Sequence, residues 1–433
     1  MGEPIPMEQQ ILTTMLDPAF YDMSVRPFGE GMILYINITL NTFRLLNMDQ
    51  VEETIQFQNE FLMMWMDPGL GWNRSNYPEY SAIYVMAPEA QVFVPDVIYY
   101  STIDSFPIVD PSIAYAIVRY DGWIRLSMPA TVTVPCSLHL ANFPYDEQKC
   151  KVTLGSWIFR DDQIVVLPTD GPLIKPDPPL ALGQLGSITF TGNSEWELLS
   201  IDVSRDFMYI EDDGNYSLIL YTVHLKRKPV YYVMVIQAPT LIIGTITIFG
   251  MFTPFSQRME RWQKVELGLN MLLAISMMLN LVSSMMPKAE RLPLLGNYII
   301  AEIFICSVGI IVSICILELH SRADQRNWRP PDLLCRLILF SCRKRSSPVA
   351  LPDPPRLLPI KPPTEKETED QHKLNVVKNQ LSQTLHLVRS YMDRGHVEEE
   401  WRLLWTRIFD RLDIIFLVLF QVANIICSAM FMR

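Results

Sequence analysis

The stretch Val265-Glu-Leu-Gly-Leu-Asn-Met-Leu-Leu-Ala-Ile-Ser-Met-Met-Leu-Asn-Leu-Val-Ser-Ser-Met-Met286 decides how the chain is read. It is long and apolar enough to cross a bilayer as a helix. Yet it carries Glu266, Asn270, Ser276, Asn280, Ser283 and Ser284. Ionisable and amide groups are costly inside a membrane unless they meet water or partners. Glu266, Asn270, Leu273, Met277, Asn280 or Leu281, and Ser284 recur at alternating steps of three and four, so they form one stripe on a helix. The middle of the stripe is apolar and its ends are polar. Around a symmetry axis such a stripe lines a pore whose apolar centre can close by dewetting. The competing reading is a buried polar face in a monomeric four-helix bundle.

Three other apolar stretches are of spanning length, at about 230–252, 298–319 and 414–431. The chain has 433 residues, 49% hydrophobic and 19% charged, which excludes a disordered protein. The net charge of −11 argues against a nucleic-acid partner, which needs a basic face. The charge is also unevenly spread. Residues 1–229 hold 13 Lys and Arg against 29 Asp and Glu, a balance of −16, while the remainder is net basic. Basic loops stay cytoplasmic, so the acidic first part is expected outside the cell. Glycosylation sequons at Asn37, Asn73 and Asn215 all lie in that part. So do Cys136 and Cys150, an isolated pair most simply read as a disulfide in an oxidising compartment. The other five cysteines read as free thiols. No apolar h-region opens the chain at Met1-Gly-Glu-Pro, which reads as a mature or engineered N-terminus.

The pattern predicts an N-terminal helix over residues 1 to about 25, then a β domain to 229. Short β-rich stretches such as Ile33–Leu40, Val97–Tyr100, Ser187–Thr191 and Ser217–Lys226 alternate with turn signals, which suggests a sandwich. Helices one to three occupy 230–319, and a cytoplasmic loop 320–400 follows. Its segment Ser346–Pro363 holds seven prolines and is expected to be extended or disordered. From about Glu367 to Arg411, Leu374, Val377, Leu381, Leu385 and Val388 mark an amphipathic helix leading into the fourth span, within 401–433.

Cys136-Ser-Leu-His-Leu-Ala-Asn-Phe-Pro-Tyr-Asp-Glu-Gln-Lys-Cys150 has thirteen residues between two cysteines and a central Phe143-Pro144-Tyr145-Asp146. It resembles the signature of the Cys-loop pentameric ligand-gated ion channels, closer to the nicotinic-like members. Trp65, Trp72-Asn73, Pro95-Asp96, Gly155-Ser156-Trp157, Arg227, Pro239, Lys264 and Pro287 extend the resemblance along nearly the whole chain. It implies an immunoglobulin-like extracellular β-sandwich of about ten strands, a four-helix transmembrane bundle and a cyclic pentamer in the plasma membrane. A homopentamer is expected, opened by a small extracellular agonist at its subunit interfaces, with membrane lipids as a partner and no cofactor.

By the same resemblance, Tyr100, Trp157, Tyr209 and Tyr216 match an aromatic box that holds a cationic amine. Where the family has a complementary-side tryptophan this chain has Glu60, and its capping loop reads Glu211-Asp212-Asp213 in place of adjacent cysteines. Trp123 and Arg125, on one strand face, are candidates for the complementary side. These departures argue against acetylcholine and leave other amines, metal ions or protonation open. No His/Cys cluster has zinc-ligand spacing. Phe143, Pro144 and Asp146 are expected to press on the linker from Pro287. Arg227 is expected to clasp Asp146, with Asp49 or Glu52 of an earlier hairpin, unless it merely snorkels at the interface. Gln263 stands where the cation channels have Glu, and the Pro-Ala pair of the anion channels is absent. Glu260 and Glu266 flank this site, so permeant cations are expected. The alternatives are an anion-selective channel of the same family and a non-conducting, membrane-anchored binding protein. An enzyme is not expected, since no nucleophile–base pair or phosphate loop is visible.

Overall fold

Along Thr54–Met66 every second residue is buried, because one face of this strand packs into a sandwich core. The computed structural model describes residues 6–29, 31–176, 189–211, 214–254, 258–284, 292–326, 330–331, 338 and 369–431. Two compact units divide the chain, Met1–Val235 with Leu281–Asn297, and Ile236–Asn280 with Tyr298–Arg433.

The first unit opens with α1 (Met7–Met15). The helix is shorter than the sequence predicts. Pro18 biases the residue before it away from helical geometry, and turns follow. Thirteen strands are described. They run β1 (Leu34–Asp49), β2 (Thr54–Met66), β3 (Ala82–Met86), β4 (Val97–Tyr99), β5 (Asp104–Pro107), β6 (Tyr115–Arg119) and β7 (Trp123–Pro135). Then come β8 (Glu147–Ser156), β9 (Ile164–Pro168), β10 (Leu173–Ile174), β11 (Phe190–Thr191), β12 (Trp196–Ile210) and β13 (Gly214–Arg227). One sheet is ordered β11-β1-β2-β7-β6-β3, with β5 on β7 and β9 on β1. The other is ordered β10-β12-β13-β8-β4. The inner faces supply the core, with Ile36, Phe57, Trp65, Ile124 and Val132 from one sheet and Val152, Ile219, Tyr221 and Val223 from the other. Cys136 and Cys150 are bonded, tying the end of β7 to β8.

Among the described residues, four helices are long and apolar enough to cross a membrane. They are α2 (Val230–Phe252), α3 (Arg258–Ser284), α4 (Leu294–Arg326) and α5 (Glu369–Phe431). A π turn at Val233–Gln237 precedes Pro239, which lacks an N–H for the helical ladder. In the second unit Phe252 of α2 stacks on Phe420 of α5 at 5.2 Å, against Val265 of α3 and Ile310 of α4. A polar cluster interrupts this apolar packing. Glu302 of α4 is fully buried, and the Asn424 amide, its nitrogen turned toward Glu302, donates to Oε1 at 3.0 Å. The Asn424 oxygen accepts from the Thr245 backbone N at 3.2 Å. Gly244 leaves the room, since a Cβ there would lie 3.0 Å from both Glu302 Oε2 and the Asn424 amide. The amphipathic helix and the fourth span form one unbroken α5 of 63 residues. The proline-rich segment, Cys335, Cys342, Asp212, Asp213 and Pro287 lie outside the described residues.

Candidate functional site

The candidate recognition face is built around the end of β8. Asp96 pins the loop after it. Its Oδ1 accepts from Ser156 Oγ at 2.6 Å, and its Oδ2 accepts from the Ile158 N–H at 2.7 Å. Between those anchors Trp157 projects, 61% exposed, with its ring 5.8 Å from that of Tyr100. The Tyr100 hydroxyl donates to the Ser156 carbonyl. Burial, then the nearby Tyr216 and Asp96, push the Tyr100 phenol up to about 12, so it remains a neutral donor at physiological pH. Gly155 makes this packing possible. A Cβ there would lie 2.5 Å from Leu218 Cδ2 and 2.8 Å from the Ser217 carbonyl.

Of the four predicted box aromatics, Tyr100, Trp157 and Tyr216 come together. Tyr209 does not join them in this conformation. The hairpin register opposes Met208 to Tyr216 and Tyr209 to Asn215, so strand alternation turns Tyr209 to the other face. Tyr209 is 73% exposed there. Glu211 lies beside it at the hairpin end, exposed.

The residues proposed for a complementary side share the outer face of the other sheet. Tyr84, Ile117, Arg125, Met64 and Asn37 follow one another across β3, β6, β7, β2 and β1. Trp123 stands opposite Met66 on the same face. Glu60 is held by two donors, Ser127 Oγ at 2.6 Å to Oε1 and Asn41 Nδ2 at 3.0 Å to Oε2. Among the sequons, Asn73 is exposed at a turn and Asn215 is exposed near the start of β13, whereas Asn37 is half-buried in mid-strand.

Arg227 is tied to several partners within the first unit. Its side chain is 0% exposed, which rules out snorkelling. Nε and Nη2 donate to Asp146 Oδ1 and Oδ2 at 2.8 and 3.2 Å, a bidentate pair. Nη1 donates to Glu195 Oε1 at 2.6 Å. The guanidinium also lies 4.1 Å from the Trp196 ring centroid and 4.7 Å from that of Phe143. The clasp to Asp146 is present, but Asp49 and Glu52 are not its partners. Asp49 instead caps its own turn, accepting from the Val51 and Glu52 N–H groups. Glu195 takes their place and also accepts from the Tyr232 hydroxyl at 2.7 Å. The Phe143–Pro144 bond is cis. The carbonyls of Ala141 and Phe143 accept from the Leu294 and Leu295 N–H groups, each at 3.1 Å. The disulfide-closed loop thus caps the otherwise orphaned donors at the start of α4.

Along α3 the stripe is set apart by burial. Gln263, Glu266, Asn270, Leu273, Met277, Asn280, Leu281 and Ser284 are all exposed, while Lys264, Val265, Gly268, Ile275 and Val282 are buried. Glu260 lies in the same helix. Among the described residues no group of three or more His, Cys, Asp or Glu could hold a metal ion.

The family model described as neurotransmitter-gated ion-channel ligand binding domain matches residues 8–229. Similar proteins include a proton-gated ion channel subunit, pbo-6, of Caenorhabditis elegans, 25% identical over 72% of this chain and 70% of its own length. The acetylcholine receptor subunit alpha-type des-2 of the same organism is 26% identical over 74% of this chain, which spans 57% of that relative. A neuronal acetylcholine receptor subunit, non-alpha-2, of Carassius auratus is 25% identical over 94% of this chain and 86% of its length. With its sandwich and four apolar helices, the chain belongs to the neurotransmitter-gated ion channels, multi-pass plasma-membrane receptors with an extracellular ligand-binding domain rather than enzymes.

Proposed function

We propose that the chain is a pore-forming subunit of a homopentameric, cation-selective channel, opened when a small extracellular ligand binds between neighbouring subunits. The observation that carries this reading is the exposed stripe of α3 with its buried opposite face. A helix that exposes carboxamides and a carboxylate at membrane depth needs water beside them, and a central conduit supplies it. Five copies of Glu266 form a ring that attracts cations, and the acidic extracellular domain concentrates them at the mouth. Leu273 and Met277 form the apolar constriction. The test is the reversal potential of agonist-evoked current in asymmetric salt. Potentials that follow chloride refute cation selectivity, and an unchanged permeability ratio in Glu266→Ala removes that residue from its role.

Trp157, Tyr100 and Tyr216 form the principal side of the ligand site, and Glu60, Trp123 and Arg125 its complementary side. They lie on different sheets of one sandwich, so a complete pocket requires two copies arranged head to tail. Tyr209 would join the box only if the hairpin end rearranged around the ligand. A carboxylate where an aromatic wall is expected favours a hydrogen-bonding amine over a quaternary ammonium. A second reading, gating by protons, is favoured by Glu60 and Glu211 beside the pocket and by the name of the proton-gated relative. A flat current between mild acid and mild base would dismiss it. Occupied glycans are proposed at Asn73 and Asn215, with Asn37 the candidate least suited by its mid-strand position.

A further inference from the structure

The pore reading accounts for Glu266 but leaves a cation at the same end of α3. Lys264 lies two residues before Glu266, where an ammonium on a flexible four-carbon stem could swing into the inner mouth and oppose the ring. It does not do so. Lys264 is 6% exposed, while Gln263 and Glu266 on either side of it are exposed. Contacts to the end of α2 and to α5 hold it back. Its Nζ donates to the carbonyl of Thr253, the residue that ends α2, and lies 3.9 Å from Asp413 Oδ2. Asp413 sits on α5 and is itself buried, its side chain 4% exposed. A carboxylate in the run Leu412-Asp413-Ile414-Ile415-Phe416, at the start of a membrane span, is costly without a charged partner.

We infer that Asp413 of α5 is the counter-ion that withdraws the Lys264 charge from the permeation path, and is therefore a selectivity-determining residue that never touches the permeant ion. The inference rests on the pore reading above. With Asp413 ionised, each subunit contributes a neutral pair on the far side of α3 and the Glu266 carboxylate on the exposed side. With Asp413 neutral, a positive charge per subunit opposes the Glu266 ring.

Wild type, Asp413→Asn and the double variant Lys264→Met/Asp413→Leu are compared by single-channel recording in asymmetric and in low-ionic-strength salt. In Asp413→Asn the unitary cation conductance is expected to fall about threefold to fivefold, with a rise in chloride permeability, and the fall should deepen at low ionic strength as screening weakens. The double variant restores conductance and selectivity to near wild type; since a structural pair could also be rescued this way, the charge-specific signs are the rise in chloride permeability and the salt dependence of Asp413→Asn. An Asp413→Asn channel with wild-type conductance and reversal potential overturns the inference, as does a double variant that stays impaired. If Asp413→Asn does not reach the surface, a double variant that conducts like wild type upholds the inference, and one that is also absent or impaired overturns it. The pore reading is judged separately, on wild type alone. Were wild type chloride-selective, the added positive charge in Asp413→Asn would raise conductance, so the two failures differ in sign.

Discussion

Replacing Arg227 by methionine keeps much of the side-chain volume and removes the charge. The two carboxylates it serves then face each other, Asp146 almost fully buried and Glu195 about one-third exposed. Removing one partner of a buried ion pair costs about 3–5 kcal/mol, because the remaining charge is desolvated without compensation. A domain of this size loses about 2–4 °C per kcal/mol, so the melting temperature should fall by about 6–20 °C. The assay is thermal unfolding of the purified full-length protein, followed by loss of the folded species, for Arg227→Met, Asp146→Asn and the double variant. Since the two side chains share two hydrogen bonds, the double variant should lose much less than the sum of the singles. Melting within about 3 °C of wild type for Arg227→Met, or additive losses within about 0.5 kcal/mol, would refute the view that this cluster holds the disulfide loop against the start of α4.

Gly155→Ala should abolish or strongly right-shift the agonist response while the receptor still reaches the surface, because the added methyl meets the Ser217 backbone beside Tyr100; an unchanged concentration–response curve would contradict the assigned recognition face. Gly244→Ala should destabilise the helix bundle by about 1–3 kcal/mol, through crowding of Glu302 and Asn424, and reduce detergent-resistant assembly on size exclusion. Burial raises the carboxyls of Asp67 and Asp170 above their ordinary value. The native state then holds these protons more tightly than the unfolded chain. Their contribution to stability therefore falls as pH rises from about 3.9 through the raised native values, and is level above them. Asp67→Asn should flatten that limb of the melting-temperature profile, and an unchanged slope would count against it.

Much of the architecture is written in local patterns. Period-two alternation in Thr54–Met66 and the steps of three and four from Glu266 to Ser284 each report one buried face, and both faces are found where those periods put them. The Cys136–Cys150 bond was legible because only two cysteines precede the first span. Long-range partnerships were not legible. Glu195 lies 32 residues before Arg227 and carries no local sign that it, rather than Asp49 or Glu52, will meet the guanidinium. A glutamate just before a buried tryptophan, across the ladder from Arg227, is the only hint, and it needs the β12–β13 register to be seen. Register also decides Tyr209. The family resemblance puts Tyr209 and Tyr216 in one box, but the turn pairs Tyr216 with Met208 and sends the two rings to opposite sides. Asp413 stands just before the fourth span, and nothing local in the sequence links it to Lys264, which is remote along the chain.

The unbroken course of α5 has a mechanical consequence. At 1.5 Å per residue its 63 residues make a rod about 95 Å long. With no proline or π turn between Glu369 and Phe431 to absorb bending, it acts as a lever with its fulcrum near Asp413. A tilt of about 5° at that point sweeps the far tip, about 65 Å away, through about 6 Å. Small rearrangements of the membrane-spanning part would therefore be magnified into displacements large enough for a protein bound at the tip to feel, and a force applied at the tip would be returned, reduced in travel and increased in strength, to α3 beside Lys264.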